Sequence, residues 1–462
     1  MRQRRDCALL RPDRFPNVKP LSHYVTHGRP TIPARIALKG AADAGGKAVT
    51  LVITAVAART LVSDAFGVLA LGMATGWLLG VATDAGLSMH LARATSRHRE
   101  AARALFGEVM VLRAGLAYTA AAIITLLVGQ IVPPHWKLQF VLVVLAQLTG
   151  AVLETVAHFF RGLERSDIES AIHLAQRLLT LVLALGVLWW QPRLDYLGAA
   201  LLVPVVLALA VAMVIAWRVT PIRSPAPLSA VALAEAEAGL EQPAVRLKAD
   251  TTLTLARFAR EVLPLGLGVL LSALYFRADL YFIERWHGLE AVGGYNAAFR
   301  LVEAARLLPA AVMAVTFPLL VKATGTGLVQ RIGGWLTLAG AALAVVAMAG
   351  AHLIVTTIYG VPYGYTAPAF AVLSMALPLF FLNYALTHQV IGWDGQRAYL
   401  SITAAALVAN LVANFLLVPS QGIVGAAIGT VITEVVVTAG SLAALWRPRS
   451  IAIAAVANTE AG

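Results

Sequence analysis

Charged side chains lie inside long apolar stretches of this 462-residue sequence. Lys39, Asp43 and Lys47 are four residues apart, a spacing that places them on one face of a helix. An ionisable group inside a membrane costs roughly 3 kcal/mol or more unless it faces a partner or a water-filled cavity. Lys47 is the deepest of the three along its apolar stretch. We therefore expect it to face a polar path that binds a charged substrate.

A second group of charges follows in the other half of the chain. Arg300, Glu303 and Arg306 are spaced by three, so Glu303 can bridge both arginines as a clamp that leaves one positive charge over. Arg277 and Asp279 are two residues apart and are expected to point to different sides of a helix. Arg277 is the deeper of these two in its stretch and is expected to face the cavity.

Two sets of candidate residues follow from these positions. Arginine forks and lysine suit an anionic, phosphate-containing substrate. The cationic candidates for substrate binding are Lys47, Arg113, Arg277, Arg300 and Arg306. The carboxylates that could couple transport to an ion are Asp43, Asp279 and Glu303. Glu108, Glu154 and Glu434 have no obvious partner nearby in the sequence. Each is either a group that forms hydrogen bonds between helices, which we favour, or a protonatable carboxylate.

Catalytic signatures do not occur in the sequence. It contains no HExxH, Walker A or GxSxG motif, and its histidines are scattered. Cys7 is the only cysteine, so an intrachain disulfide is impossible and a cysteine metal site is implausible. We expect no enzymatic activity, no cofactor and no metal.

Apolar stretches of helical length must position these charges. About 20 apolar residues are needed for a helix to cross the ~30 Å of hydrocarbon in a bilayer, and the chain is 59% hydrophobic and only 13% charged. Twelve such stretches fall near residues 39–58, 66–90, 104–128, 138–160, 171–190, 196–217, 261–284, 292–320, 332–356, 366–390, 398–418 and 422–446. The sequence thus predicts an all-α integral membrane protein.

The distribution of basic residues predicts its orientation. Lysine and arginine are enriched in cytoplasmic loops of membrane proteins, and here most of them fall in alternate loops, starting with the N-terminal segment. With twelve spans, this places both termini in the cytoplasm. The net charge of +12 is thereby explained by loop charges rather than by nucleic-acid binding.

An internal repeat divides the spans into two halves. The turn after the first span, with Arg59, Asp64, Ala65 and Gly67, recurs at a constant offset as Arg285, Glu290, Ala291 and Gly293. This offset covers an even number of spans, so both halves have the same orientation. Parallel repeats of this kind build two lobes with a transport site between them. We expect two pseudo-symmetric six-helix lobes.

The predicted organisation has five parts. Residues 1–35 form a basic cytoplasmic tail that is not a cleavable signal peptide. The lobes cover 36–217 and 261–446, a Pro- and Ala-rich cytoplasmic linker covers 218–260, and residues 447–462 form a second cytoplasmic tail.

The order of short motifs resembles a known family over residues 36–446. An Ala-Arg-x-Leu turn at 58–61, Phe66-Gly67, and Asp-x-Gly-Leu at 84–87 before a basic loop are similar to the opening of bacterial polysaccharide-repeat flippases. These are the polysaccharide biosynthesis proteins of the multidrug/oligosaccharidyl-lipid/polysaccharide exporter superfamily. Further matches are Arg277-Ala-Asp279, Gly293-Gly-Tyr295, Ala298, Arg300, Phe317-Pro318, Asn410, Asn414, Pro419, Gly422 and Gly425-Ala-Ala427.

This resemblance implies a transporter of the bacterial inner membrane. Its substrate would be a polyprenyl-diphosphate-linked oligosaccharide, moved from the cytoplasmic to the outer leaflet for O-antigen, lipopolysaccharide or exopolysaccharide synthesis. A polysaccharide polymerase and a chain-length regulator would be its partners. Alternatives within the superfamily are a cation-coupled drug antiporter and a flippase for the peptidoglycan lipid precursor. A membrane glycan polymerase or ligase is an alternative of another class, although its usual large outer loop has no counterpart among the short outer loops here.

Overall fold

The computed structural model describes residues 32–97, 99–130, 132–219, 263–323 and 325–446. Within these ranges the regular elements are α-helices and short 3-10 turns. The first half contains α1 Ile32–Thr60, α2 Ser63–Asp84, α3 Leu87–Arg97, α4 Ala102–Leu127, α5 Lys137–Gly162, α6 Ser166–Trp190 and α7 Leu194–Val219. The second half contains α8 Leu263–Tyr275, α9 Ala278–Ala305, α10 Leu307–Lys322, α11 Gly327–Ala349, α12 Ala351–Tyr359, α13 Ala367–Ser374, α14 Leu377–Gly392 and α15 Gln396–Trp446.

These helices make up the twelve predicted spans, and the all-α membrane fold with two lobes is confirmed. Eight helical segments of the described chain are long and apolar enough to cross a membrane on their own. Two of them, α2 and α11, are each followed after a short break by a shorter helix, α3 and α12. Two helices turn back on themselves at glycines with positive φ, α9 at Gly288 (78°) and α15 at Gly422 (55°). Because glycine has no Cβ, it adopts these angles at little cost.

Each lobe packs around a central helix. In the first lobe α5 contacts α2, α3, α4 and α7, while α6 packs on α7 and α1. In the second lobe α15 contacts α8, α9 and α14, and α11 packs on α14. The predicted lobe boundaries stay a prediction. The predicted tails at 1–35 and 447–462 and the linker at 218–260 lie largely or wholly outside the described residues.

The lobes meet where α2 crosses α9. A Cβ atom on Gly67 would overlap the carbonyl oxygen of Leu289, so only glycine allows this approach of the two backbones. Nearby, the guanidinium of Arg59 on α1 donates to the carbonyl oxygens of Thr357 and Ile358 on α12, the second at 2.9 Å from Nε. We call this region, formed by Arg59, Gly67, Leu289, Thr357 and Ile358, the closed end of the bundle.

Replacing Gly67 with Ala should destabilise the contact between the lobes. The added methyl group would meet a backbone carbonyl rather than a flexible side chain, so the helices must move apart, at a cost of about 1–3 kcal/mol. Thermal unfolding of the detergent-purified protein measures this loss. Gly115→Ala on α4 is the matched control, because a Cβ there meets no atom within 4 Å. Equal melting temperatures for Gly67→Ala and the wild type would contradict the close approach.

Candidate functional site

A cavity of about 540 Å³ lies between the lobes. Cavities of roughly 300–1,000 Å³ are typical of small-molecule sites. Its walls come from α1, α2, α5, α6 and α7 of the first lobe and from α10 of the second. Along α1 it extends from Thr54 to Gly46, away from the closed end. The polar side chains that line it are Thr50, Thr54, Gln147, His173, Gln176, Arg177 and Thr180.

Small residues on α2 position the wall formed by α5. Gly72, Gly76 and Gly80 repeat every four residues and face α5. A Cβ atom on Gly76 would lie 2.6 Å from the Cβ atom of Gln147, and one on Gly80 would lie 2.8 Å from that of Ala151. Such a stripe lets two helices approach closely in a membrane. The close packing fixes Gln147 at the cavity wall.

Arg177 on α6 also lines this cavity, which sequence reasoning missed. Its position about two turns inside a predicted span is typical of a side chain that extends to the membrane surface. In the structure its guanidinium instead lies against Gly46, at a place where a Cβ atom would overlap it. The adjacent glycines Gly45 and Gly46 in α1 are the sequence signal that could have indicated this position.

Three of the predicted charges form a trio at the interface between the lobes. Glu303 accepts hydrogen bonds from Arg277 at 3.2 Å and from Arg300 at 2.7 Å. Arg277 lies 5.9 Å from the ring centre of Trp77 in the first lobe, and Arg300 lies 3.9 Å from the sulfur of Met73. Met73 is part of the cavity wall. The trio, which carries one net positive charge, therefore lies directly behind that wall.

The prediction that Glu303 bridges both Arg300 and Arg306 is wrong for Arg306. Arg306 stacks on aromatic rings instead, with its guanidinium carbon 4.1 Å from the ring centre of Phe276 and 4.7 Å from that of Phe380. An aromatic face attracts a cation in a poorly hydrated site. Arg277, which is distant in sequence, takes the place on Glu303 that spacing assigned to Arg306.

Asp279 faces a different part of the second lobe from Arg277, as the two-residue spacing predicted. Its carboxylate accepts the hydroxyl of Tyr295 at 2.5 Å and the backbone amide of Leu280 at 2.9 Å. Tyr295 in turn lies 3.2 Å from the hydroxyl of Thr430 on α15. The side chain is 2% exposed and lies outside the cavity lining. Its role in ion coupling stays a prediction.

Arg113 is buried in the first lobe, apart from the trio. It is 1% exposed and donates to the hydroxyls of Thr83 and Thr155, the latter at 3.2 Å, and to the carbonyl of Gly80 at 3.0 Å. A carboxylate oxygen of Asp84 lies 3.7 Å away. These contacts join α4 to α2 and α5. Arg113 is absent from the cavity lining, and its role in substrate binding stays a prediction.

Two of the three carboxylates without obvious partners in the sequence, Glu154 and Glu434, have partners in the fold, and the prediction for Glu108 stays a prediction. Glu154 pairs with Arg161 at 2.7 Å, and Arg161 also binds Glu169 at 2.8 Å. His173, which lines the cavity, lies 3.4 Å from Glu154. This network joins α5 to α6. In the second lobe Glu434 accepts a hydrogen bond from Asn383 at 2.8 Å, so the prediction of interhelical bonding is confirmed there.

Asp43 and Lys47 are the remaining candidates. The side chains of Asp43 and Lys47 are not among the described residues. Of the cationic candidates, the structure brings together Arg277 and Arg300, and Arg306 lies against the same ring of Phe276 as Arg277. Arg113 lies apart from them.

Comparisons with known proteins agree with the fold. A family described as "Polysaccharide biosynthesis protein" matches residues 40–324. Among curated proteins there is no match. Several solved structures are similar, although identities below 25% make this a likeness of fold alone.

Two of these structures illustrate the likeness. The lipid II flippase MurJ in an inward closed conformation has a TM-score of 0.60 at 9% identity, over 88% of this chain and 87% of its own. A point mutant of the Vibrio cholerae MATE transporter VcmN has a TM-score of 0.57 at 16% identity, over 89% of this chain and 94% of its own.

Proposed function

This chain belongs to the polysaccharide biosynthesis protein family, and we propose that it flips polyprenyl-diphosphate-linked oligosaccharides from the cytoplasmic to the outer leaflet. The proposal builds on its place among the membrane transporters and flippases of the multidrug/oligosaccharidyl-lipid/polysaccharide exporter superfamily. Its substrate joins an anionic diphosphate to polar sugars, and the polyprenyl chain can stay in lipid.

The observation that carries this proposal is the polar cavity whose walls come from both lobes. A cavity of about 540 Å³ lined by helices of two lobes is what alternating access requires. The positive trio of Arg277, Arg300 and Glu303 lies behind its wall and would attract the diphosphate as the lobes separate. Lys47, Arg113 and Arg306 are further candidates for contacts with this group.

The charge of the cavity favours this substrate over a cationic drug. Among the described residues that line it, none is a carboxylate and Arg177 is cationic. A site for cationic drugs would be expected to offer acidic side chains.

The proposed orientation follows the basic loops. Both termini would lie in the cytoplasm of a bacterium, the closed end would face away from it, and the cavity would open inward. In this orientation the protein would receive its substrate from cytoplasmic glycosyl transfer and deliver it to a polymerase and a chain-length regulator.

Transport by purified protein in proteoliposomes tests the proposal. The diphosphate carries roughly two negative charges, and one charge crossing 100 mV is worth ~2.3 kcal/mol, so export from a negative interior gains about 4–5 kcal/mol. A potassium diffusion potential, negative on the cytoplasmic face, should therefore accelerate flipping of a polyprenyl-diphosphate oligosaccharide with no pH gradient present.

The controls separate driving force from function. Empty liposomes give the background rate, and valinomycin without a potassium gradient gives the rate at zero potential. If the transport rate responds to a pH gradient and not to the potential, the driving force is proton coupling through Asp43, Asp279 or Glu303. No transport of any lipid-linked glycan under either gradient would refute the proposed function.

A further inference from the structure

The hydroxyls of three threonines in the cavity wall donate hydrogen bonds to carbonyl oxygens of their own helices. Thr50 donates to the carbonyl of Gly46 at 3.0 Å, Thr54 to that of Thr50 at 2.6 Å, and Thr180 to that of Gln176 at 2.8 Å. A hydroxyl has one proton and two acceptor lone pairs. Towards the cavity these three side chains therefore present acceptor oxygens.

Two glutamines complete the polar part of this wall. Gln176 donates through Nε2 to the hydroxyl of Thr180 at 3.0 Å, which holds its amide along α6. Gln147 faces the cavity from α5, where the close contact with Gly76 fixes its Cβ atom. A glutamine amide offers both donors and acceptors. We call Thr50, Thr54, Gln147, Gln176 and Thr180 the neutral wall.

The chemistry of the neutral wall discriminates between the two polar parts of the substrate. Phosphate oxygens only accept hydrogen bonds, so a surface rich in acceptors gives them little to bind. Sugar hydroxyls donate as well as accept, and N-acetyl groups need both amide functions. The facing side of the cavity, with Ala310, Ala311 and Ala314 on α10, is apolar and small, which suits the C–H face of a sugar ring.

We infer that the neutral wall is the glycan subsite, which binds the sugar nearest the lipid through the hydroxyl and amide groups of that sugar. This inference rests on the proposed function. The diphosphate is then held next to it, where Arg177 and His173, about one and two helical turns from Thr180, line the same cavity. Substrate selection and charge recognition thus belong to neighbouring but separate parts of one site.

Kinetics of the double variant Thr54→Val/Thr180→Val test this subsite. Valine keeps the shape and the β-branch of threonine and removes the acceptor oxygen. For transport of a polyprenyl-diphosphate oligosaccharide in proteoliposomes we expect KM to rise about tenfold, equivalent to about 1.4 kcal/mol. Inhibition of the same transport by polyprenyl diphosphate without sugar should change less than about twofold, because that lipid lacks the group that the wall binds.

The matched control is Thr337→Val on α11. Thr337 also donates to a carbonyl of its own helix, that of Gly333 at 2.7 Å, and it lies outside the cavity lining. Its KM should stay at the wild-type value, which separates loss of the subsite from a general effect of Thr→Val on membrane helices. Membrane levels and melting temperatures of all variants show whether each is folded.

Each remaining outcome decides the inference. If inhibition by the sugar-free lipid weakens in parallel with the rise in KM, the wall binds the diphosphate. If KM is unchanged, the wall binds no part of the substrate. Either result overturns the glycan subsite. Transport by the wild type in the same assay keeps the proposed function intact in those two cases. Lack of transport by the wild type would instead refute the proposed function and the subsite with it.

Discussion

We expect the variant Arg277→Ala to lose transport while its amount in the membrane stays near that of the wild type. Glu303 keeps Arg300 as a partner at 2.7 Å, so the change leaves no uncompensated carboxylate in the interface between the lobes. The trio, however, loses its net positive charge. Arg277 lies behind the cavity wall, and we propose that it contacts the diphosphate as the lobes separate. Loss of a buried charged contact costs about 2–5 kcal/mol, so we expect transport to fall by about 30-fold or more, as measured in proteoliposomes with the potassium potential.

Two further variants sharpen this prediction. Arg193→Ala removes a surface arginine that pairs with Asp195 at 2.9 Å, and it should transport normally. Arg277→Lys keeps the charge and loses the planar fork, so it should retain part of the activity. If Arg277→Ala and Lys47→Ala both transport at the wild-type rate, attraction of the diphosphate by deep cations is the wrong explanation.

Replacing Glu303, in contrast, should reduce the amount of folded protein in the membrane. In Glu303→Ala the side chains of Arg277 and Arg300 are left facing each other without a counterion in a poorly hydrated interface. Breaking a buried ion pair by removing one partner costs about 3–5 kcal/mol. Folded domains are typically stable by only about 5–15 kcal/mol. We expect a large fall in membrane level and in the melting temperature of what remains.

A double variant separates charge imbalance from loss of packing. Glu303→Ala/Arg277→Ala removes one of the two repelling cations, so it should recover part of the level and melting temperature lost in Glu303→Ala, although not the transport. A normal yield and melting temperature for Glu303→Ala would show that the ion pairs contribute nothing to folding.

The sequence predicted the fold well because the membrane sets one dominant length. The twelve apolar stretches of about 20 residues correspond to the helical spans of the structure, even where a helix is interrupted. Hydropathy carries no information about those breaks. Between α2 and α3 the chain passes through Ala85 (φ 43°) and Gly86 (φ 87°), and both residues lie within what hydropathy shows as one span.

The site was predicted less completely, since its partners are distant in sequence. Helical spacing paired Glu303 with Arg306, three residues away, whereas the fold brings Arg277 to it from the preceding helical segment. Arg177 reaches the cavity because Gly46, on another helix, leaves room for its guanidinium. Hydropathy and spacing describe one helix at a time, and these contacts depend on how two helices cross.

The hydrogen bonds of Arg59 also bear on ion leakage. Arg59 is an exposed cation that binds the last carbonyls of α12, where the helix dipole is negative, and contacts of exposed charges contribute about 0.2–1 kcal/mol each. Two such bonds favour the closed state by up to about 2 kcal/mol, which corresponds to about 3% of the molecules with the lobes separated at this end. Because the closed end stays in contact in most molecules, we expect it to limit the leakage of protons and metal ions across the membrane.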